Sequence, residues 1–78
     1  MIESYLQIKT ARTLASWSQA ELAKRSKVSI ETIRRLEQNR GFSTAGFETV
    51  NKLYNVFTKA GVIFINDEDL FGVAKKKS

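Results

Sequence analysis

The sequence contains no cysteine and no histidine. The first absence excludes a disulfide, a thiolate metal site and a thiol nucleophile. The second removes the commonest general base and the commonest metal ligand. No glycine loop is built to cradle phosphates and no pair of carboxylates marks a catalytic pocket. An enzyme is therefore not expected, nor a cofactor or a metal. No run approaches the ~18 apolar residues of a membrane span, and no stretch reads as a signal peptide. The expectation is a cytoplasmic protein with no membrane contact. No linker or internal repeat is visible, and with no second domain to receive one, no small-molecule effector is expected.

What remains is ordinary globular material. At 42% hydrophobic and 27% charged, the chain is not of disordered composition. Seventy-eight residues allow one domain, with a core small enough that a partner would help its stability. The net charge is +5. Between residues 21 and 40, Lys24, Arg25, Lys27, Arg34, Arg35 and Arg40 stand against Glu21, Glu31 and Glu37. Clustering of this kind favours a polyanion as partner, the plain alternative being a solvated face.

The cluster lies on the stretch Ser18–Leu36, around which the chain is organised. Ser18 followed by Glu21 is a capping box that opens a helix over about 19–25, with Leu22 and Ala23 as its apolar positions. Ser29 is a good N-cap for a second helix over about 29–38, which carries Ile33 and Leu36 on one side. Ser26-Lys27-Val28 is the turn between them, with Val28 as its apolar plug. Apart from Ile30, the remainder of the second helix (Glu31, Thr32, Arg34, Arg35) is polar or charged. A short helix with a buried stripe and a basic, hydrogen-bonding outer side suits a DNA major groove.

Around this pair, residues 3–15 read as a helix with Tyr5, Ile8, Ala11 and Ala15 at helical spacing. Trp17 sits where an apolar residue joins the core or staples the entry of the next helix, with stacking on DNA as the other reading. Asn39 is placed as a left-handed C-cap. Residues 40–46 read as a loop with Phe42 turned inward. Phe47, Val50, Leu53, Tyr54, Phe57 and Ala60 then form a helical core stripe that ends at Gly61. Val62–Ile65 reads as a strand, 66–69 as an acidic turn, 70–74 as a second strand closing a hairpin, and 75–78 as a disordered basic tail. A lone hairpin is marginal, and an exposed apolar edge invites pairing. Val62, Ile63, Phe64 and Ile65 are thus a candidate dimerisation segment, the alternative being a hairpin packed on its own helices.

The stretch resembles the helix-turn-helix of the XRE family, the Cro and cI type of repressor. The resemblance runs from about Gln7 to Ile65. Gln7–Leu14 before Trp17-Ser18-Gln19 resembles the family's first helix. Ile33–Glu37 resembles the end of its recognition helix, and Gly61–Ile65 resembles a C-terminal segment of one bacterial branch. The resemblance implies an all-α domain of four main helices over 1–61, lambda-repressor-like, with a short β element over 62–74. It implies a transcription regulator that binds double-stranded DNA as a homodimer and reads a palindromic operator. Repression by blocking polymerase is the simplest mechanism. The rival reading is a protein-interaction module of antitoxin type, with DNA binding secondary.

The resemblance also assigns residues. Arg12 and Glu37 match positions that form a partly buried ion pair, with a phosphate contact for Arg12 as an alternative. Ser18 and Gln19 match a DNA-contacting helix start. Ser29, Ile30, Glu31, Thr32 and Arg35 fall at groove-facing positions, and Arg34, Asn39 and Arg40 beside the duplex backbone. Lys27 departs from the family, which usually has glycine there because the turn takes φ > 0. Either the turn differs here or the chain tolerates the strain. Many members carry glutamine or arginine where Ile30 stands, so base readout is expected to be less polar here.

Overall fold

The computed structural model describes residues 1–77. Ser4 opens helix α1 (Tyr5–Leu14), its hydroxyl accepting from the Leu6 N–H. Gln7, Ile8 and Ala11 are buried, whereas Leu14 is exposed and Tyr5 half-buried. The helix ends in a Schellman motif: the Trp17 N–H donates to the Arg12 carbonyl and the Ser16 N–H to that of Thr13. The motif needs a left-handed residue, and Ser16 takes it at φ 61°.

Helix α2 (Gln19–Ser26) begins at Ser18, whose side chain accepts from the Glu21 N–H at 3.0 Å. Only this half of the expected capping box forms, because the Glu21 carboxylate pairs instead with Arg25. Lys27 closes the helix in the left-handed region at φ 62°. The turn is therefore the glycine-type turn, and the chain tolerates the strain. Ser26 donates to the Leu22 carbonyl and accepts from the Val28 N–H, so this buried hydroxyl braces both sides of the turn. Helix α3 (Ile30–Leu36) starts at Ser29, which caps the Thr32 N–H. Leu22, Val28, Ile33 and Leu36 bury the seam between the two helices.

The segment that follows α3 departs from expectation. Asn39 is not a left-handed cap: it is the first residue of a short helix α4 (Asn39–Ser43), after Gln38 breaks the chain direction in extended geometry. The four expected main helices are thus joined, among the described residues, by a short fifth, and the loop shrinks to 44–46. Gly41 permits this, because a Cβ there would lie 2.0 Å from the Arg35 carbonyl oxygen. Phe42 does turn toward the core. Helix α5 (Phe47–Lys59) buries Val50, Leu53 and Phe57, but Phe47 is 72% exposed. A position in the first turn has no preceding turn to pack beside it.

Gly61, at φ 90°, turns the chain into an antiparallel hairpin of β1 (Val62–Asn66) and β2 (Phe71–Lys75). The register pairs Val62 with Lys75, Ile63 with Ala74, Phe64 with Val73, Ile65 with Gly72 and Asn66 with Phe71. Asp67 closes the turn by accepting from the Asp69 and Leu70 N–H groups. The strand thus extends into the segment expected to be a disordered tail. Lys75 completes β2 and the Lys76 N–H donates to the Gly61 carbonyl, since ladder pairing holds whatever side chain is attached. Ser78 lies outside the described residues.

One core joins these elements. Phe57 stacks on Trp17 at 5.6 Å and meets the edge of Phe64 at 5.9 Å, and Tyr54 leans on Phe64 at 5.6 Å. Trp17 packs on the core as expected, against α5, and the Arg25 guanidinium lies 4.6 Å over its ring. Among the described residues, no helix is long and apolar enough to cross a membrane.

Candidate nucleic-acid interface

Two devices hold α3 in place, and both start in the sequence around it. The first is apolar. Ile33 and Leu36 have no exposure worth the name, so one side of the helix is locked against α2 and the core. The second is ionic. Arg12 of α1 donates to both carboxylate oxygens of Glu37, at 2.8 and 3.0 Å, and its remaining terminal nitrogen donates to the Trp17 carbonyl at 3.1 Å. The two side chains are 16% and 6% exposed, so water screens the pair little. Hydrogen bonding to Glu37 raises the Arg12 pKa, against the opposing effect of burial and with help from the Glu37 charge. Gln19 adds its amide N–H to the same carboxylate at 3.2 Å. The start of α2, the last turn of α1 and the end of α3 thus meet on one anion.

With its inner side fixed, α3 has a defined outer side. Glu31, Arg34 and Arg35 are exposed and lie three and four residues apart, as neighbours on a helix surface do. Among the described residues, Arg34, Arg35 and Arg40 make no ion pair. The five N–H donors of each guanidinium are therefore available to a ligand. Ser29 is exposed and its hydroxyl donates to Thr32 Oγ1 at 2.8 Å, so these two present a joined pair of hydroxyls. Ile30 is half-buried, with part of its side chain reaching solvent.

The segment after α3 completes the surface. Gly41 brings α4 into backbone contact with the last turn of α3, and this holds exposed Asn39 and Arg40 beside it. An open cleft lies next to them, lined by Thr32, Arg35, Gly41, Thr44 and Thr49. Helix α5 starts at the cleft with Gly46 as N-cap and no side-chain cap, so its first N–H groups are free for an anion. Thr44 and Thr49 were not legible as part of this surface, since nothing in their spacing marks them. Gly41 could have been found, as a glycine inside a segment otherwise able to form a helix.

The expected residues divide as follows. Arg12, Gln19 and Glu37 come together as one cluster, in which Gln19 keeps a second amide N–H and its carbonyl free. Ser18 is exposed but its acceptor is occupied by the cap. Ser29, Glu31, Thr32, Arg34 and Arg35 share α3 and its cap, with Asn39 and Arg40 adjoining. Arg25 leaves the basic cluster for Trp17 and Glu21. In the hairpin, Val62 is 2% exposed and Phe64 is committed to Tyr54 and Phe57, so their side chains serve the core. Ile63 and Ile65 alternate with them and lie on the opposite face of the sheet.

A helix-turn-helix family model matches residues 8–57, well over half of the chain. Neither the comparison with curated proteins nor that with solved structures returns a match.

Proposed function

The chain belongs to the XRE-type helix-turn-helix family of DNA-binding transcription regulators, and from this premise we propose that it is a repressor reading a palindromic operator as a homodimer, with α3 in the major groove. The observation that carries the reading is the outer side of α3. It offers unpaired Arg34 and Arg35 on a helix whose inner side and end are both fixed. A rigid support is what direct readout needs, because a base contact is lost when its donor can swing away.

Each residue has a role in this reading. Arg35 pairs with guanine O6 and N7, a contact worth ~1–3 kcal/mol of discrimination. Glu31 accepts from cytosine N4 and repels phosphate, so it selects rather than adds affinity. Ile30 packs on a thymine methyl. Ser29 and Thr32 bond base edges or the backbone. Ser18 and Gln19 at the start of α2, with Arg34, Asn39 and Arg40, hold phosphates and set the register. Two copies related by a two-fold read two half-sites, and the C-terminal hairpin joins them. Occupancy of the site blocks polymerase.

The test is a titration of the duplex from upstream of the gene, and of a shuffled duplex, over a series of salt concentrations. The expected result is preference for the upstream duplex by ~1000-fold or more. Each phosphate contact contributes about −0.9 to the log–log salt slope. Arg35→Ala relaxes the preference at one position and costs ~1–3 kcal/mol. Absence of binding at low salt would sink the reading and favour a protein partner instead.

A further inference from the structure

A groove runs between the last turn of α2 and the last turn of α5, and DNA recognition through α3 makes no use of it. It encloses about 320 Å³ and is lined by Trp17, Arg25, Val56, Lys59 and Ala60. Its floor is apolar and firm. Trp17, Val56 and Ala60 are each half-buried, and the indole is backed by Phe57, stacked at 5.6 Å.

The polar side chains around that floor are donors only. Arg25 donates from Nε to Glu21 at 2.7 Å and lies over the indole, which leaves its terminal nitrogens. Lys59 is exposed and makes no ion pair among the described residues. The indole N–H of Trp17 has no hydrogen bond there either. Since no buried side-chain nitrogen or oxygen among the described residues lacks a partner, this N–H reaches solvent.

Further cations adjoin the groove. Ala60 leads into Gly61, whose carbonyl accepts from the Lys76 N–H, and Lys75, Lys76 and Lys77 are all exposed. With Lys59, four lysines gather at the end of α5. The partial negative charge of a helix C-terminus, about half a unit, accounts for one of them at most.

Donors around an apolar floor select a carboxylate carried next to an apolar group. A duplex brings phosphates but no apolar knob. A small acid needs most of its surface covered, which an open groove does not provide. A polypeptide supplies both features. The chain's own Glu68-Asp69-Leu70 has the composition, but it sits at the opposite end of the hairpin, and a net charge of +5 sets copies against one another.

We propose that this groove docks an acidic segment of a partner protein. A leucine or phenylalanine of the segment seats on Trp17, Val56 and Ala60. Flanking carboxylates are held by Lys59, Arg25 and the indole N–H, and the lysines beyond Gly61 take the rest. Helix α5 has 13 residues and so spans about 20 Å, and its first turn flanks the cleft beside α3. At physiological salt, charges that far apart are largely screened. The groove therefore accepts its partner whether or not α3 holds DNA.

The test is a nuclear magnetic resonance titration of the ¹⁵N-labelled full chain at ~0.15 M salt. Trp17 is the one tryptophan of the chain, so its indole N–H is a single resonance at the groove. The probe is the end-blocked peptide Glu-Asp-Leu-Phe-Asp-Glu. Its control, Glu-Asp-Ser-Ser-Asp-Glu, keeps the charge and drops the apolar pair. The probe is expected to shift the Trp17 indole and the Val56 and Ala60 amides, and the control to bind about tenfold more weakly or worse. Lys59→Glu, at an exposed position, weakens binding about three- to tenfold, and Lys59→Arg restores it. Chain already bound to its duplex takes the probe with an affinity within about threefold of the free chain.

Equal binding of the two peptides would reduce the groove to a patch of charge, and shifts confined to other residues would put no site there. Either result overturns the proposal. So does a Trp17 shift that grows with protein concentration alone and vanishes in Leu70→Ala, which would make the occupant a second copy. Displacement of the probe by the duplex would make it DNA, with the same consequence. A chain that takes the probe yet ignores the upstream duplex keeps this inference and loses the DNA reading.

Discussion

Arg12 joins three helices through one carboxylate, and its chemistry makes that joint insensitive to ordinary conditions. Its raised pKa means that it contributes stability fully below its unfolded-state value and loses it only as pH rises through the folded one. For an arginine that window lies above any pH at which the protein is handled. Mutation is the informative perturbation. Arg12→Ala strands the Glu37 carboxylate at 6% exposure and is expected to cost about 3–5 kcal/mol in denaturant unfolding. Replacing both residues by methionine should recover most of that loss, because it leaves no unpaired charge. A double variant as unstable as the single would mean that packing, not charge, is lost. The pair was legible only through the family resemblance, since 25 residues separate its members and spacing alone cannot bring them together. Arg25 shows the reverse. It reads as one more cation of the cluster, and its place over Trp17 depends on a ring delivered by a different turn.

Helix boundaries followed local chemistry closely wherever a side chain marks them. Ser18 and Ser29 cap where their hydroxyls suggest, and Gly61 ends α5. The failures came where backbone contact decides. Helix α4 exists because Gly41 lets it touch the Arg35 carbonyl, and no periodicity in a five-residue segment could announce that. The turn between α2 and α3 is the other such place. Lys27 holds φ 62° with a Cβ attached, a conformation that costs roughly 1–2 kcal/mol. Glycine would relieve this but adds freedom to the unfolded chain, returning about 0.4–1 kcal/mol. Lys27→Gly is therefore expected to stabilise by a net ~0.5–1 kcal/mol, seen as a melting temperature about 2–8 °C higher. Lys27→Ala keeps the strain and should not show the gain. DNA affinity is a separate readout, since the same change removes one cation and should reduce the salt slope if Lys27 lies near a phosphate.

The molecule closes on itself through Gln7, the buried polar side chain that ties its first helix to its last strands. The amide nitrogen donates to Asn66 Oδ1 at 2.9 Å and to the Gly72 carbonyl at 3.1 Å, while Oε1 accepts from the Glu3 N–H at 2.7 Å. Asn66 in turn donates to the Met1 carbonyl at 2.7 Å, and buried Ile2 lies between these anchors. Chain start, helix and hairpin are thus one unit, although more than 50 residues of sequence separate them. A glutamine on an otherwise apolar helix side looks like an interruption of the stripe, and only the hairpin carbonyls above it explain its burial. Gln7→Leu conserves volume approximately but leaves the Glu3 N–H and the Asn66 side chain without their partner. Each orphaned group costs about 1–3 kcal/mol when buried, and these two are only partly so. The expected loss is about 2 kcal/mol. The hairpin amides should lose hydrogen-exchange protection before those of α2 and α3, because α3 keeps its own supports in Ile33, Leu36 and Glu37. If two copies read a palindrome through α3 and are joined by the hairpin, as proposed, binding to a single half-site should then survive where binding to the full palindrome weakens. Equal loss of protection throughout the chain would instead make Gln7 a support of the whole fold rather than the latch of its C-terminal hairpin.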